Sequence, residues 1–258
     1  MNKKYTEKRK RGQAGRAYVI TVVSLLICQS IYAQENAIER AEKLFQQRDI
    51  PGKLEESVTV LNDYASKAST DYAAFWRLSK FTYYLSDEQK VDSAKEELLQ
   101  AGIEAGQKAI QLKQNGPEGH YWYASNCGQL ANIKHGFKSL TLIHTIRSEF
   151  QTAMKLDPNC ENGGAFHALG EMDLQLPFIF GGSDKRGIEI LQKGVKIAPT
   201  NLEMRLALAE ALESKKQPEE AIKLLTEALA IDDPNRTSQE REYLREKARK
   251  QLQRLEAK

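Results

Sequence analysis

Apolar side chains recur every three to four residues over most of the chain, and prolines interrupt this pattern at regular intervals. Pro117, Pro158 and Pro199 follow one another at intervals of 41 residues, and Pro234 comes 35 residues later. Each proline follows a helical pattern, which reads AIQLKQNGP, AMKLDP, GVKIAP or ALAIDDP. The spacing is typical of amphipathic helices, and proline disfavours continuation of a helix. The pattern therefore predicts a series of helix pairs, each ending at a proline.

The segment between Pro199 and Pro234 shows this arrangement most clearly. Seven of its residues fall on the tetratricopeptide frame W-x2-L-G-x2-Y, then A-x3-F and a small residue: Arg205, Leu208, Ala209, Leu212, Ala221, Leu225 and Ala228. Small side chains at Ala209 and Ala221 allow two antiparallel helices to approach closely, and the leucines fill the seam between them. The predicted turn is Lys215-Lys216-Gln217-Pro218, in which Pro218 opens the second helix.

The same frame recurs upstream in weaker form. Its candidate positions are Ala41, Leu44, Phe45, Ser57, Leu61 and Tyr64 in the first unit; Trp76, Ser79, Tyr83, Gly102, Gly106 and Ala109 in the second; Tyr121, Ala124, Ser125, Gly128, Ile146, Phe150 and Ala153 in the third; and Phe166, Leu169, Gly170, Gly187, Leu191 and Gly194 in the fourth. After these units, one apolar stripe on an otherwise charged helix has the form of a terminal cap, with Leu244, Ala248, Leu252 and Leu255. The sequence therefore predicts an all-α fold. It is a tetratricopeptide-like α-solenoid of about five antiparallel helix pairs over residues 34–234, with a C-terminal capping helix at 235–258.

The first 33 residues differ from the rest of the chain. Seven basic residues against Glu7 give residues 1–16 a net charge of +6, and the apolar run AYVITVVSLLI follows at 17–27. The segment ends at the small residue Ala33. A basic head, a short apolar middle and a small-residue end are typical of a secretory signal peptide. We therefore predict a signal peptide at 1–33 and a periplasmic or secreted protein.

Three interpretations of this segment stay open. Cleavage after Ala33 is favoured, because the apolar run is shorter than the roughly 20 residues that span a bilayer. The second interpretation is an uncleaved membrane anchor. The third is lipidation at Cys28, for which Ile27 is an unusual residue just before the cysteine.

The charge of the remaining chain bears on the class of partner. The 258 residues carry a formal net charge of +3, but residues 34–258 carry −3 once the basic head is set aside. A mildly acidic chain lacks the electrostatic support for nucleic-acid binding. With 41% hydrophobic and 28% charged residues, the chain is too polar for a multispanning membrane protein and too apolar for a disordered one.

The middle of the chain carries a resemblance to known families. In order, it reads FWRLSKFTYYLSD, AGIEAGQKAI, GPEGHYWYASNCG, ALGEMDLQLPFIFGG and IEILQKGVKIAP. These segments, roughly residues 70–234, resemble the T component of TRAP-type transporters, an exported bacterial helical protein. More distantly, they resemble the regulator-of-microtubule-dynamics family of eukaryotes. The first resemblance implies a periplasmic partner, typically a solute-binding protein of a transporter.

Two units exceed the usual repeat length, and both extra segments fall in the turn within a pair, at about 131–140 and 176–184. Equivalent turns of a solenoid project from one edge, so we predict that the two segments lie side by side. Phe178 and Phe180 lie in an apolar loop where polar residues are expected. This loop is either a lip over a groove or a plug folded back onto its own core. Tyr121 and Tyr123 either line a concave surface or pack in the core, and these four aromatic residues are the candidate binding residues.

Sequence motifs for catalysis, cofactors and metals are absent. The four histidines, His120, His135, His144 and His167, lack the spacing of a metal site. The segment GGSDKRG lacks the spacing of a phosphate loop and predicts a helix start capped by Ser183 or Asp184. No nucleophile motif occurs, so we predict no enzyme activity, no metal and no cofactor. Cys127 and Cys160 could pair in an exported chain, but two unpaired, partly buried cysteines are the favoured prediction.

Five helix pairs without a catalytic constellation predict a binding module. We expect an exported scaffold whose concave surface binds a partner protein or peptide, and an oligomer is also possible. The alternative is an accessory protein of a TRAP-type transporter that binds a solute-binding protein or a small apolar ligand. No nucleic-acid partner is expected, and membrane contact is expected only through an uncleaved or lipidated N-terminus.

Overall fold

The computed structural model of the chain describes residues 37–134 and 137–257, and it describes side chains in these ranges except at 137–141. The predicted signal peptide at 1–33 and the candidate lipidation site at Cys28 lie outside the described residues. Within the described ranges, all regular secondary structure is helical. No helix in these ranges is long and apolar enough to cross a membrane.

Eleven α-helices follow one another along the described chain. Helix α1 occupies residues 37–46. The others are α2 (Lys53–Lys67), α3 (Tyr72–Glu88), α4 (Asp92–Leu112), α5 (Pro117–Ile133), α6 (Phe137–Leu156), α7 (Gly164–Gln175), α8 (Asp184–Ile197), α9 (Leu202–Ser214), α10 (Pro218–Ala228) and α11 (Ser238–Glu256). One turn of 3-10 helix, Phe178–Phe180, lies between α7 and α8. Successive helices pack as five pairs, from α1/α2 to α9/α10, and α11 packs on the last pair. The predicted solenoid with a capping helix is therefore confirmed.

Local sequence signals explain where several helices begin. Pro218 opens α10 at its first turn, where a missing backbone N–H costs nothing. The Ser183 hydroxyl accepts a hydrogen bond from the backbone N–H of Arg186, which makes Ser183 the N-cap of α8. Thr237 and Glu240 form a reciprocal capping box at the start of α11. The prediction that GGSDKRG starts a helix is therefore confirmed, with Ser183 as the cap.

The fifth pair packs as its sequence predicts. Ala209 on α9 and Ala221 on α10 are fully buried, which is consistent with close approach of the two helices. Leu208, Leu212 and Leu225 fill the same core cluster. The apolar stripe of α11 covers the end of this cluster, because Leu244, Ala248 and Leu255 are buried in it. The capping helix therefore closes the hydrophobic core of the last pair.

The predicted register is wrong in the first helix of the third unit, whereas four of the six frame positions of the second unit are buried, Ser79, Gly102, Gly106 and Ala109. In that helix the frame placed its small residue at Ser125, whereas the small residue that is fully buried is Ala124. Ser125 and Gly128 instead lie half-buried on the inner face, as does Tyr83 of the second unit. Two adjacent small residues, such as Ala124 and Ser125, fit the small position of the frame equally well, so the sequence allows two registers. An aromatic residue such as Tyr83 also matches the frame whether it faces the core or the inner face of the solenoid.

Contacts between the two ends of the described chain close the solenoid on itself. The turn between α1 and α2 carries Arg48 and Asp49, and both residues contact the start of α11. Arg48 pairs with the Glu240 carboxylate, and the Asp49 carboxylate accepts a hydrogen bond of 2.8 Å from the Thr237 hydroxyl. The turn between α1 and α2 is therefore joined directly to the start of α11, which brings the first and last described helices together.

Candidate binding groove

An open groove of about 440 Å³ lies on the inner face of the solenoid, between α3, α5 and α7. We call it the inner groove. Its aromatic lining consists of Tyr83 and Tyr84 on α3, Tyr121 and Trp122 on α5, and Phe150 on α6. Helices α3 and α5 are the first helices of the second and third pairs, α6 is the second helix of the third pair, and α7 of the fourth pair adds His167, Glu171 and Met172 to the lining. The groove therefore runs across successive repeats, with side chains from each of them.

The aromatic rings of the inner groove hold one another in place. The Trp122 ring lies 5.6 Å from the Tyr83 ring and 5.9 Å from the Tyr84 ring, measured between centroids. Tyr121 contacts Trp122 edge-on at 4.9 Å and lies 5.6 Å from Phe150. Trp122 is buried, whereas the three tyrosines are only half-buried. Rings packed in this way offer contact area to a ligand at a small cost in side-chain entropy.

One end of the aromatic cluster is fixed by Glu161, which lies in the loop between α6 and α7. Its carboxylate accepts a hydrogen bond of 2.9 Å from the Trp122 indole N–H and forms an ion pair of 2.8 Å with Lys80. Glu161 and the next residue, Asn162, both have positive φ angles, of 49° and 54°. This left-handed backbone is unusual outside glycine. The indole of Trp122 is therefore held by a charged partner that comes from a strained loop.

Arg236 reaches the inner groove from the connector between α10 and α11. Its guanidinium Nη2 donates to the Glu203 carboxylate on α9, and its Nη1 lies 3.5 Å from the Tyr84 hydroxyl oxygen. Asp233, which is buried in the same connector, accepts a hydrogen bond of 3.3 Å from the backbone N–H of Leu202. The connector is therefore anchored to α9 at Asp233, and the Arg236 side chain projects from it onto the aromatic lining.

The inner groove is acidic. Carboxylates of Asp87, Glu171 and Glu203 line it, and Arg236 is the one Lys or Arg among its described lining residues. Burial raises the pKa of Asp87 above its ordinary value, although a hydrogen bond of 2.6 Å from Gln129 opposes this effect. Burial also raises the pKa values of Tyr83, Tyr84 and Tyr121. The phenols therefore remain protonated at neutral pH and act as neutral hydrogen-bonding groups.

A second cavity continues the inner groove toward the C-terminus. It has a volume of about 560 Å³ and lies between α7, α9 and α11. His167, Glu171 and Glu203 line both cavities. On the α11 side, the second cavity is lined by Lys247 and Lys250, which are exposed. The ion pair between Arg236 and Glu203 therefore lies where the two cavities meet.

The structure separates the four candidate binding residues. Tyr121 lines the inner groove. Tyr123 packs between α4 and α5, close to Gly106 and 3.5 Å from the Gln107 amide, and does not line the groove. Phe178 is 88% exposed and Phe180 is 38% exposed. The interpretation of the 176–184 loop as a plug of its own core is therefore wrong, because its aromatic rings lie outside the core.

The exposed turn borders the inner groove. Ile143 of α6 lines both the inner groove and a neighbouring cavity of about 470 Å³, which Ile179 and Phe180 also line. Arg147 of α6 donates a hydrogen bond of 3.3 Å to the Gly181 carbonyl oxygen. The turn therefore contacts the helix that follows the other extra segment. Residues 135 and 136 of that segment lie outside the described residues, so the predicted side-by-side arrangement stays a prediction.

A buried carboxylate holds this turn in place. Asp173 at the end of α7 is fully buried and forms ion pairs with Arg186 at 2.5 Å and with Arg147 at 2.7 Å. The Asp173 carbonyl oxygen accepts a hydrogen bond of 2.8 Å from the backbone N–H of Ser183. Arg186 also donates to the Gly181 carbonyl oxygen. The exposed side chains of Phe178 and Ile179 therefore project from a turn that is held on both sides.

Sequence reasoning missed most of the groove. Tyr84, Asp87, Glu203 and Arg236 were not candidates. Arg236 follows an Asp-Asp-Pro-Asn turn, where nothing in a local pattern indicates that the side chain points inward. The sequence offered one signal for this lining: the aromatic pair Tyr83 and Tyr84 comes shortly before the acidic end of its helix, Asp87 and Glu88.

Cys127, Cys160 and His120 occupy structural positions. Cys127 and Cys160 are buried free thiols, and burial raises the pKa of Cys127 to about 11. A thiol with this pKa is a poor nucleophile at neutral pH. His120 lies between the Glu149 carboxylate, at 2.5 Å from Nδ1, and the Gln114 carbonyl oxygen, at 2.8 Å from Nε2. Among the described residues, no three His, Cys, Asp or Glu side chains are arranged to hold a metal ion.

Comparison with solved structures identifies the fold. The tetratricopeptide-repeat protein TTC0263 of Thermus thermophilus superposes with a TM-score of 0.64 at 15% identity, covering 85% of this chain and 99% of that one. MamA of Desulfovibrio magneticus gives a TM-score of 0.48 at 16% identity, covering 74% and 93%. YrrB, described as a TPR protein with an unusual peptide-binding site, gives 0.44 at 15% identity, covering 83% and 90%. At these identities the likeness shows the fold alone, and TTC0263 carries that conclusion.

Comparison of the amino-acid sequence with family models and with curated proteins identifies the family. No curated protein matches the chain. A tetratricopeptide-repeat model matches residues 185–238. The model of regulator of microtubule dynamics protein 1-3 matches residues 37–175, more than half of the chain. The resemblance to the T component of TRAP-type transporters is not shown by these comparisons. On the extent of the match over α1 to α7, the chain belongs to the regulator of microtubule dynamics protein 1-3 family.

Proposed function

We propose that this protein is a binding scaffold that holds an extended segment of a partner protein in the inner groove. The observation that carries this proposal is the groove itself. Half-buried Tyr83, Tyr84 and Tyr121 line an open space that crosses three helix pairs. An extended segment has the length to contact several repeats at once, whereas a compact ligand contacts only one or two.

The polar lining supports a peptide rather than an apolar ligand. Carboxylates of Asp87 and Glu171 and the amide of Gln129 lie among the tyrosines. An apolar ligand would displace water from these groups without supplying hydrogen bonds in return, which costs free energy. A peptide backbone supplies both donors and acceptors along its length. The mixture of rings and polar groups therefore suits a protein segment.

Export to the periplasm or beyond is part of the same proposal. Its support is the basic head and apolar run of residues 1–33. The alternative role, as an accessory protein of a TRAP-type transporter, is supported by the exposed Phe178 and Ile179, which form an apolar contact point beside the groove. In both roles the partner is a protein. A scaffold would bind it in the inner groove, whereas a transporter accessory protein would bind it at the exposed turn that carries Phe178 and Ile179.

Site-specific photo-crosslinking tests the proposal. A photo-reactive amino acid at Ser125, which lines the inner groove, should trap a partner in the native cell compartment. The matched control is the same amino acid at Glu104, which is exposed on α4 and outside the groove. Equal yields of the same crosslinked protein from both positions would contradict binding in the groove. Crosslinking from Phe178 alone would favour the accessory role.

A further inference from the structure

The chain's own connector shows how the inner groove holds one particular chemical group. The Arg236 side chain lies in the groove with its guanidinium on the Glu203 carboxylate and close to the Tyr84 hydroxyl. The carboxylate and the phenol hydroxyl together form a site for a planar cation, because two different nitrogens of one guanidinium contact them. The groove therefore contains a guanidinium subsite that is filled from within the molecule.

The Arg236 side chain can leave this subsite without unfolding the connector. The backbone N–H of Arg236 donates to the Asp233 carbonyl oxygen, and its own carbonyl oxygen accepts from Arg241 at 2.5 Å. The next residue, Thr237, is the N-cap of α11. These contacts hold the main chain and involve no atom of the Arg236 guanidinium. Rotation of one side chain is enough to vacate the subsite.

The surrounding charge favours another cation in the same place. Besides Glu203, the groove exposes Asp87 and Glu171. Asp87 accepts a hydrogen bond from neutral Gln129, and Glu171 lies 3.6 Å from His167, which carries a charge only when protonated. Arg236 therefore compensates one of three carboxylates. An incoming cationic segment gains from the remaining two, whereas an acidic segment is repelled.

From this geometry we infer that the subsite formed by Glu203 and Tyr84 recognises an arginine in an extended partner segment, and that Arg236 occupies it until the partner arrives. Arg236 is thus an internal competitor of the ligand. This inference rests on the proposed peptide-binding function and names the chemistry of the peptide. Lysine fits less well, because its ammonium is a point charge and does not present two nitrogens of a planar fork to the carboxylate and the hydroxyl.

Peptide titration of two variants tests the inference. The probes are three short alanine-based peptides that differ at one central residue, which is arginine, citrulline or lysine. The arginine peptide should bind Arg236→Ala about tenfold more tightly than the wild type if Arg236 fills the subsite nine-tenths of the time. Glu203→Gln should abolish the preference for arginine over citrulline. The control variant is Arg249→Ala, whose ion pairs with Glu242 and Glu246 lie on the exposed side of α11 and outside the groove.

A second measurement uses the wild type and does not depend on any variant folding. The Nε–H resonance of Arg236 should shift toward that of a free arginine and exchange faster with water as the arginine peptide is added. Citrulline peptide should leave it unchanged. Equal binding of all three peptides in the groove, with Arg236 unmoved, would overturn the inference and leave the proposed function standing.

A small probe separates failure of the subsite from failure of the groove. Ethylguanidinium should bind Arg236→Ala and raise its melting temperature, whereas ethylammonium should not. If ethylguanidinium binds but no peptide does, the subsite stands and the proposed function fails. If ethylguanidinium has no effect and the Arg236 resonance never moves, Arg236 is a structural residue and the inference is wrong.

Discussion

Arg48 and Glu240 lie 192 residues apart in the sequence and form an ion pair of 2.5 Å that joins the first helix pair to the capping helix. The Arg48 side chain is 5% exposed, and its guanidinium also donates to the carbonyl oxygens of Phe45 and Asn235. It lies over the rings of Phe45 and Tyr84 at 4.5 Å and 5.1 Å. This one side chain therefore connects both ends of the described solenoid to the aromatic lining of the inner groove.

Replacing Arg48 should open this closure. Arg48→Met leaves the Glu240 carboxylate without its buried partner, so we expect a loss of about 3 kcal/mol in the free energy of unfolding. Urea denaturation measures the loss, and hydrogen exchange should rise across α1 and α2. Adding Glu240→Gln should recover part of the stability, because the unpaired charge is then gone while the amide oxygen still accepts from the Thr237 backbone N–H of the capping box. The control Arg40→Met breaks an exposed pair with Glu56 and should change stability by less than about 0.5 kcal/mol.

Two glycines with opposite surroundings test the packing of the repeats. A Cβ at Gly170 would lie 2.5 Å from Leu191 Cγ, so Gly170→Leu should destabilise the protein by about 2 kcal/mol or more. A Cβ at Gly128 would meet nothing within 4 Å, and Gly128→Ala should stabilise α5 by about 0.5–1 kcal/mol. Thermal melts of both variants measure the difference. An unchanged melt for Gly170→Leu would mean that α7 and α8 separate more easily than the structure indicates.

The repeat architecture could be predicted because its signals are local. Prolines end helices, and small residues such as Ala209 and Gly170 mark close approach of neighbouring helices in the sequence. Register was less certain where small residues are adjacent, as at Ala124 and Ser125. A shift by one position turns a helical residue by about 100°, which moves it between the core and the inner face. With such an error the predicted fold is still correct, but the residues assigned to the groove are wrong.

The candidate site could be predicted only in part, because it is built from distant segments. Tyr121 and Tyr123 were equivalent in the sequence, yet they point about 200° apart on α5 and only Tyr121 reaches the groove. Arg236 enters the groove because the connector after α10 folds back onto α9, which no periodicity indicates. The orientation of Phe178 depended on the buried Asp173, whose two arginine partners lie on α6 and α8.

Histidine titration provides a pH test of the α5/α6 contact. The hydrogen bond to Glu149 raises the pKa of His120 above 6.5, against the opposing effect of burial. A raised pKa in the folded state means that the contribution of this pair to stability is fully present below pH 6.5. It is lost as the pH rises through the pKa of the folded protein. NMR titration of the imidazole should show the raised pKa, and Glu149→Gln should lower it.

The comparison of stabilities across pH gives the control for this pair. Glu149→Gln should destabilise the protein relative to the wild type below pH 6.5 and much less at a pH above the folded-state pKa of His120 found by NMR, where the imidazole is neutral in both proteins. A difference in stability that is the same at both pH values would show that Glu149 acts through packing and not through the charged histidine.

The buried carboxylate of Asp173 should control the mobility of the exposed turn. Asp173→Asn removes the charge that holds Arg147 and Arg186, and we expect a loss of about 2–4 kcal/mol in the free energy of unfolding. The amide of Ser183, which donates to the Asp173 carbonyl oxygen, should exchange faster with solvent. The control Asp184→Asn alters an exposed pair with Lys215 and should stay within about 0.5 kcal/mol of the wild type. Unchanged exchange at Ser183 would contradict the role of Asp173 in holding the turn.

The aromatic rings of the turn should serve binding and not stability. Phe178 is 88% exposed, so the double variant Phe178→Ser/Phe180→Ser should melt close to the wild type, within about 0.5 kcal/mol for each exposed substitution. The matched control is Phe81→Ser, which removes a fully buried ring that stacks on Phe45 and should cost about 3–5 kcal/mol. If the double variant also loses binding of the partner trapped from Ser125, the turn is a lip of the inner groove. A melting temperature lowered as far as that of Phe81→Ser would instead mean that the rings pack against the core in solution, which would contradict their role as a lip of the inner groove.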